Sequence, residues 1–463
     1  MKRFLTGSAL LALIALAFTG CGGGSSSSSA NNSSNAQAHV FVTGEDAPVS
    51  SVVAFNITIN QISLNNSSTS VIAMNTPTAV DFGRLVGLRS LLGFNAIAPG
   101  TYTSATITFA STSAPTIDYI NLTTNPPSLG TATGVLSNST VTVSFPSGSP
   151  LVVGSSGLAG LHIDFDLGAS LAISNGNLVI NNNGQVAVTP VLDVQAVSAS
   201  SDLGQITEFT GNVVSVNTTT GTSFVMQGPY GFQETIDVNS STQYNGTNTF
   251  ASLVVNGIVD VEGTVQADGS ILAASVELIT TDPAFLGGRI LAISPGPVLT
   301  MFVGEELGTS ATIPVDSVQT VNLSQVSSWD ICFIDNWFTN ELFGPSYLVV
   351  GQRIFVGGTY QNNSFTPEMV SLRRQGVLGA LVENSVNTNL GSFEMQNNGL
   401  LSYAANGPFP VATDSETVFV NINGIAGLQS AGAANLVVTG LVFDNPQNFG
   451  TPVVWAHRVR VLP

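Results

Sequence analysis

Residues 52–64, which read VVAFNITINQISL, decide the fold class. Every second residue from Val53 to Ile59 is apolar, and small or polar residues fill the positions between them. This period of two predicts a β-strand with one face in a core. The apolar phase then shifts by one position and resumes at Ile62. Because such a slip would turn the core face outward, the sequence predicts a β-bulge near residues 60–61.

The same alternation runs through most of the chain and predicts a mostly antiparallel, all-β protein. Short pairs typical of tight turns separate the alternating runs. These pairs are Asn175-Gly176, Asn183-Gly184, Asn245-Gly246, Asp268-Gly269 and Asn398-Gly399.

Two segments depart from this alternation. Residues 81–93, DFGRLVGLRSLLG, have apolar residues at helical spacing, with Asp81 as an N-cap and Gly93 as a stop. This pattern predicts one short helix. Residues 324–345, SQVSSWDICFIDNWFTNELFGP, place Trp329 and other apolar residues at helical spacing and predict another.

Three internal repeats occupy the second half of the chain. TGNVVSVN (210–217), GGRILAIS (287–294) and LGALVENS (378–385) each open a similar series of short strands. Because a unit of about 75 residues buries too little surface as an open sheet, we expect each repeat to close into a small OB-like barrel. The sequence therefore predicts a β-sandwich-like domain at 39–200, followed in series by barrel modules at 205–282, 283–375 (with an aromatic helical insertion) and 376–463.

The first twenty residues are typical of an export signal. Lys2 and Arg3 precede ten apolar residues at 9–18, too few to span a bilayer. Cys21 follows, and this arrangement resembles the lipobox of bacterial lipoproteins, although Phe18 stands where Leu is usual. The resemblance implies that the signal peptide, residues 1–20, is removed and that a covalent lipid is attached to the new terminus.

A Gly/Ser-rich tether at residues 21–38 follows the predicted lipidation site at Cys21. It would act as a flexible coil between lipid and fold. Gly22 in place of Asp favours the outer membrane in a Gram-negative host. The sequence therefore predicts a protein of the bacterial cell envelope, held to a membrane by its lipid, with no other cofactor required.

Charge excludes one class of partner. Only 8% of residues are charged, and the net charge of −18 would become −20 once Lys2 and Arg3 leave with the signal. Such an acidic chain, with no lysine left, argues against nucleic acid and against anionic headgroups as partners. Cys332 is the only other cysteine, and we expect it to be a small buried residue.

Residues 39 to about 198 resemble the bacterial family called domain of unknown function 4382. The matching stretches are VFVTGEDAPVSSVVAFNITINQISL, VDFGRLVGLRSLLG, APGTYTSATITF, LHIDFDLGASLAI and VAVTPVLDV. The three repeats resemble domain of unknown function 5666, most clearly from FTGNVVSVN through VDVEGTVQADGSILAASVEL. Neither resemblance implies a reaction or a binding site; both support the architecture and export.

The best candidate metal site is HIDFD. On a strand His162, Asp164 and Asp166 share one face at about 6.6 Å spacing, from which they could converge on a divalent cation. The alternative, which we favour, is a solvated strand face whose Asp166 caps the turn into LGAS. TGEDAP offers Glu45 and Asp46, which could join a cation site, although a turn role for Asp46 is favoured.

The aromatic insertion is the other candidate. Trp329, Trp337 and Phe338 could form a surface platform for sugar rings or an apolar partner. The favoured alternative is that they pack against a core. Arg458 and Arg460 share a strand face, which we interpret first as a surface feature that could pair with carboxylates.

No sequence motif of a hydrolase, zinc protease, phosphate loop or redox dithiol occurs. The sequence therefore favours a non-enzymatic binding or scaffolding module of the envelope, with another envelope protein or a glycan as possible partners. Two alternatives stay open: a metal-binding protein or hydrolase built on HIDFD, and a carbohydrate-binding protein built on the Trp-rich insertion.

Overall fold

The computed structural model describes residues 38–47, 49, 51–174, 177–228, 231–308, 313–332, 343–362, 364–397, 399–444 and 451–462. The predicted signal peptide, Cys21 and the tether up to residue 37 lie outside them. Ala36–Pro463 form one compact unit. Strands make up 58% and helices 8% of the structure, which confirms the all-β class. None of the helices within the described ranges combines the length and the apolar character needed to cross a membrane.

The N-terminal domain is a β-sandwich. Its elements are β1 (Ala38–Ala47), β2 (Val52–Asn65), β3 (Ser70–Met74), β4 (Thr78–Asp81), β5 (Ser90–Ile97), β6 (Gly100–Tyr102), β7 (Ser104–Phe109), β8 (Thr116–Asn121), β9 (Ser128–Leu136), β10 (Thr140–Ser144), β11 (Leu151–Val153), β12 (Gly157–Asp166), α1 (Leu167–Ser170), β13 (Ile173–Ser174), β14 (Asn177–Leu178), β15 (Gln185–Val188) and β16 (Leu192–Val197).

Two sheets of this domain enclose one core. The smaller has the order β16-β12-β1-β5, and the larger runs β10-β7-β2-β8-β9-β15 with β3 and β4 also paired to β2. Phe165 of the smaller sheet contacts Phe55 and Phe109 of the larger, with ring centroids 5.2 and 6.0 Å apart. The predicted bulge is confirmed, because the pairing of β2 with β7 shifts register between Ile59 and Gln61.

Three modules follow, which we call barrels 1, 2 and 3. Barrel 1 contains β17 (Gln205–Val216), β18 (Ser223–Gln227), β19 (Gln233–Asp237), β20 (Gln243–Tyr244), β21 (Ile258–Val265) and β22 (Ile271–Thr280). Barrel 2 contains β23 (Ala284–Ser294), β24 (Val298–Gly308), β25 (Ser317–Asn322), β26 (Ser328–Ile331), β27 (Arg353–Gln361) and β28 (Ser364–Leu372). Barrel 3 contains β29 (Gln375–Leu381), β30 (Ser392–Gln396), α2 (Leu400–Ala405), β31 (Phe409–Ala412), β32 (Val418–Val420), α3 (Gly424–Leu428), β33 (Asn435–Asp444) and β34 (Pro452–Val461).

The barrels share one strand order. In barrel 1 it is β19-β18-β17-β21-β22, closed by a parallel pair between β19 and β22. Barrel 3 repeats this as β31-β30-β29-β33-β34 and closes through β31 and β34. A five-stranded Greek-key barrel of this kind is the OB architecture, so the prediction of OB-like modules is confirmed.

Barrel 2 corrects the expectation that all three modules close. Its order β25-β24-β23-β27-β28 is the same, but among the described residues no ladder joins β25 to β28. A cavity of about 220 Å³ lies at this gap, lined by residues of both strands and by the aromatic rings of Tyr360 and Phe365. We attribute the opening to these bulky side chains. Barrel 2 is therefore a half-barrel.

Neither predicted helix forms in the described residues. Residues 81–93 fold as a single 3-10 turn, Phe82–Arg84, before β5 begins at Ser90. Gly87 has a φ of +66°, a left-handed conformation that ends any helix there. Ser328–Ile331 of the aromatic segment form β26, which pairs in parallel with β28. This segment forms a strand because it can pair with the edge of β28, a long-range partner that the spacing of its own apolar residues does not reveal. Residues 333–342 lie outside the described ranges.

Candidate functional site

The polar face of β12 is buried, not solvated. His162 and Asp164 are 1% and 4% exposed, because this face meets β34 of barrel 3. Arg460 of β34 donates from Nη2 to Asp164 Oδ2 at 2.9 Å. Ile163, on the opposite face, lies in the sandwich core. The favoured interpretation of a solvated face was therefore wrong for His162 and Asp164, and the interpretation of Arg460 as a surface residue was also wrong.

Glu45 of β1 is the centre of this contact. Its Oε1 lies 3.4 Å from Arg460 Nη1 and 3.5 Å from Arg458 Nη1. Its Oε2 lies 3.5 Å from Arg89 Nη1 and 3.8 Å from His162 Nε2. One carboxylate of the first strand thus contacts three guanidinium groups, two of them from the last strand of the chain.

Asp202, in the segment between the sandwich and barrel 1, completes the group. It accepts from Arg458 Nη2 at 2.6 Å and from Arg89 Nη2 at 3.3 Å. We call the set the three-arginine network; it consists of Arg89, Arg458, Arg460, Glu45, Asp164 and Asp202. Three positive charges face three carboxylates, so the network can be buried without a net charge.

Burial and the charges of the network shift the pKa values of His162, which lies beside it, and of Asp164, which belongs to it. Burial lowers the pKa of His162 to about 4, although Glu45 raises it. The imidazole is therefore neutral near pH 7, with Nδ1 3.1 Å from Thr43 Oγ1. Burial, followed by repulsion from Glu45, raises the pKa of Asp164 to about 6, while Arg460 lowers it.

The metal hypothesis for His162, Asp164 and Asp166 gains no support from this geometry. Asp166 Oδ1 accepts from the Ala169 backbone nitrogen at 2.8 Å, which makes it the N-cap of α1. Within the described part of the chain, these three residues do not form a group whose ligand atoms lie within 4.8 Å of one another. Arg460 already supplies the positive charge that Asp164 faces. The hypothesis stays a prediction.

Asp46 corrects a second expectation. It lies within β1, not in a turn, and is 1% exposed. Burial and the charge of Asp164 raise its pKa well above the usual range. Asp46 therefore lies at the end of the strand, where burial disfavours its charged form, on the side of β1 opposite Glu45.

A second group of buried charges joins barrels 1 and 2. Arg353 donates to Glu208 of barrel 1 at 2.9 and 2.5 Å and to Glu305 of barrel 2 at 2.8 Å. Arg84 of the sandwich reaches Glu305 at 3.1 Å. Arginine suits these contacts because its planar fork binds carboxylates in two places at once.

The linker between β28 and β29 supplies two more arginines. Arg373 donates to Glu277 at 2.7 Å and also to Asp260, and Arg374 donates to Glu262; all three carboxylates belong to barrel 1. We call the whole set the hub network; its members are Arg84, Arg353, Arg373, Arg374, Glu208, Asp260, Glu262, Glu277 and Glu305. The Phe355 ring lies 4.9 and 4.7 Å from the guanidinium carbons of Arg353 and Arg373.

Two carboxylates of the hub network form, together with Cys332, a group with metal-ligating chemistry. The ligand atoms of Asp260, Glu277 and Cys332 lie within 4.8 Å of one another. A thiolate with two carboxylates could bind a zinc-like ion. Arg373, however, donates to both carboxylates and so occupies the position of the cation. Cys332 is buried as expected, at 4% exposure.

Of the three aromatic candidates, Trp329 lies within the described residues. Trp329 is half-buried against the core of barrel 2, with its ring centroid 5.6 Å from that of Phe343 in an edge-to-face contact. This packing supports a core role for Trp329 more than a role in a surface platform. Trp337 and Phe338 lie outside the described residues, so the platform hypothesis stays a prediction for them.

A cleft between the sandwich and barrel 1 has the character of a binding site. Its apolar walls include Leu92, Phe209 and Phe232, and its polar groups include Asp81 and Glu234. Burial raises the pKa of both carboxyls to about 7. A mainly apolar cleft at a domain junction with a few polar groups of shifted pKa is the default candidate for ligand binding.

Sequence reasoning predicted that Arg458 and Arg460 could pair with carboxylates but not with which ones, and it missed the hub network. Their partners are far apart in the chain; Glu45 and Arg458, for example, are separated by 413 residues. One signal was present. After Lys2 and Arg3 the chain has no lysine and only eight arginines, several of them inside alternating strands. In a chain with so few charges, an arginine on a strand flanked by apolar residues indicates a buried carboxylate partner.

Two family models match parts of the chain. Residues 37–190 match Domain of unknown function (DUF4382), and residues 203–277 match Domain of unknown function (DUF5666). The first covers most of the sandwich and the second most of barrel 1, as the sequence resemblance predicts. No curated protein matches the chain significantly.

Proposed function

We propose that this chain is a lipid-anchored protein of the bacterial cell envelope that acts as a rigid, non-enzymatic binding or scaffolding module. The anchor rests on the order of export signal, Cys21 and Gly/Ser tether at the start of the sequence. Two acyl signals hold a protein stably at a membrane. The tether would leave the folded unit free to meet partners away from the lipid surface.

The observation that carries the scaffolding role is the use of arginine. Seven of the eight arginines after Arg3 form ion pairs, and each of their side chains is 15% exposed or less. Nearly all of these pairs join different modules or the linkers between them. Because breaking a buried pair costs several kcal/mol, the modules would keep one fixed arrangement. A fixed arrangement suits presentation or assembly.

The cleft beside barrel 1 is our candidate for the place where a partner binds. Phe209 and Phe232 would contact an apolar side chain of an envelope protein, and Asp81 and Glu234 would hydrogen-bond its polar edge. The arginine side chains of the described residues are at most partly exposed, and Arg84, which lines the cleft, is paired with Glu305. An anionic partner such as nucleic acid therefore does not fit.

The anchor is tested by labelling with radioactive palmitate in a bacterial host. We expect label on the native chain and none on Cys21→Ser. Cys332→Ser is the matched control, since it removes the only other cysteine and should keep the label. Label that persists in Cys21→Ser, or a native chain that never takes it up, contradicts the proposal.

The binding role is tested by placing a photo-crosslinking amino acid at Phe232, beside the cleft, in living cells. We expect a discrete crosslinked product that disappears when Phe209→Ala is added. The control position is Val152, a sandwich residue that is 65% exposed. Equal products from both positions, or none from either, would count against a specific partner at the cleft.

A further inference from the structure

Arg289 is the exception among the arginines. It lies in β23 directly opposite Arg353 of β27. Arg353 is neutralised by Glu208 and Glu305, whereas Arg289 makes no ion pair and donates no hydrogen bond to any described residue. Burial and the charge of Arg353 lower the pKa of Arg289 to about 10. A guanidinium remains charged at that value, so Arg289 carries a positive charge that no carboxylate of the described residues pairs with directly.

Arg289 lines a cavity of about 40 Å³ where three modules meet. The sandwich contributes Val53 and Val86, and barrel 3 contributes Leu400 and Leu401. None of the described residues that line the cavity is acidic. This part of the cavity wall is therefore apolar apart from one cationic group and a few amides, and no described carboxylate lies in it.

One amide offers a second donor. Asn397 lines the same cavity. Its Oδ1 accepts from the backbone nitrogens of Gly399 and Ser402, at 3.0 and 3.3 Å. Its Nδ2 donates to no described residue. The side chain of Gln375, by contrast, is occupied by Arg353 N and Gly351 O. A guanidinium and one amide NH₂ thus have unused hydrogen-bond donors in this region.

We propose that this cavity binds a small aliphatic carboxylate, with its carboxylate held by the fork of Arg289 and its short hydrocarbon chain against the valine and leucine side chains. The guanidinium fork matches a carboxylate in geometry and charge. The aliphatic lining favours a monoanion with an apolar tail over a strongly hydrated dianion such as phosphate. The carboxylate would supply the negative charge that each of the other arginines receives from an Asp or Glu.

The test uses the purified full-length protein and measures thermal unfolding in sodium propionate, with sodium chloride and sodium phosphate at equal ionic strength. We expect propionate alone to raise Tm in a saturable manner, because a ligand of the folded state stabilises it by mass action. Arg289→Met should abolish this rise. Without ligand, the same variant should unfold at an equal or higher Tm, because it removes a half-buried charge that has no ion-pair partner among the described residues.

Arg289→Lys keeps the charge but not the fork, and we expect its affinity for propionate to fall about tenfold or more. Three results would overturn the proposal: a propionate effect equal to that of chloride, an unchanged propionate effect in Arg289→Met, or a large fall in the Tm of Arg289→Met without ligand. The last would show that Arg289 is already paired. None of these readouts depends on the lipid anchor or on the barrel 1 cleft.

Discussion

Charged groups at the junctions between modules and charged groups inside one module have different environments. The three-arginine and hub networks place carboxylates against guanidinium groups from other modules, and most members are nearly inaccessible. Asp81 and Asp166 make their hydrogen bonds within the sandwich. Asp81, which also lines the cleft beside barrel 1, accepts from the Phe55 backbone nitrogen at 2.7 Å, and Asp166 caps α1. The comparison teaches that the same strand alternation can indicate a surface, a cap or a domain junction.

The largest effect is expected at the hub network. Arg373 is fully buried, at 0% exposure, and Arg373→Met would leave Asp260 and Glu277 without their cation. We expect the free energy of unfolding to fall by about 3–5 kcal/mol, measured by urea denaturation. Adding Asp260→Asn and Glu277→Gln should restore most of the loss, because no unpaired charge then remains. If the free energy of unfolding of Arg373→Met were within about 1 kcal/mol of the native value, the buried charges at this junction would not depend on their partners for stability.

Glu45→Gln should have the next largest effect. It removes the negative charge shared by Arg89, Arg458 and Arg460, and we expect a loss of about 2 kcal/mol in the same measurement. Asp202→Asn is the matched control, since the Asp202 side chain is 48% exposed and exposed pairs contribute less than about 1 kcal/mol. If Asp202→Asn cost as much as Glu45→Gln, burial would not be the property that separates them.

The pH dependence of the free energy of unfolding tests the environment of Asp81. Burial raises its pKa from 3.8 to about 7 in the folded protein, so the folded state binds its proton more tightly than the unfolded state. Its contribution to stability therefore falls as pH rises from 3.8 to about 7 and is flat above. Between pH 6 and 8 we expect the native protein to lose about 1 kcal/mol more than Asp81→Asn. The measurement is urea denaturation at both pH values.

Asp268→Asn is the control for that experiment, because hydrogen bonds from Ser270 lower the pKa of Asp268 and it does not titrate in this range. An Asp81→Asn variant with the same pH dependence as the native protein would show that Asp81 is ionised throughout. Asn at position 81 can still accept the hydrogen bond from Phe55, so the comparison isolates the charge.

The smallest effect is expected at Asp166. Asp166→Ala removes the N-cap of α1 and should cost about 1 kcal/mol, whereas Asp166→Asn should cost only a fraction of that. Metal content of the same preparations, with Asp164→Asn added, tests the rival role. Stoichiometric metal in the native protein that is lost from Asp164→Asn and Asp166→Ala would establish HIDFD as a ligand set.

Much of the fold followed from local patterns. The phase shift after Ile59 predicts the bulge in β2, because only an extra residue keeps both apolar sets in one core. The repeats predict one strand order three times over. The helix predicted at residues 81–93 does not form because Gly87 adopts a left-handed conformation. Phe82, Leu85 and Leu92 are buried in the core of the sandwich, and their spacing alone cannot distinguish this burial from that of an amphipathic helix.

The sequence by itself determined the all-β class, the sandwich and the OB-like repeats, since strand alternation and turn residues act over a few neighbouring positions. Only the tertiary structure decided which polar residues are buried and what each arginine contacts. Ion pairs such as Glu45 with Arg458 depend on how four modules pack, and packing is set by whole surfaces rather than by any short stretch. Only this packing leaves Arg289 without an ion-pair partner among the described residues and places it beside a cavity.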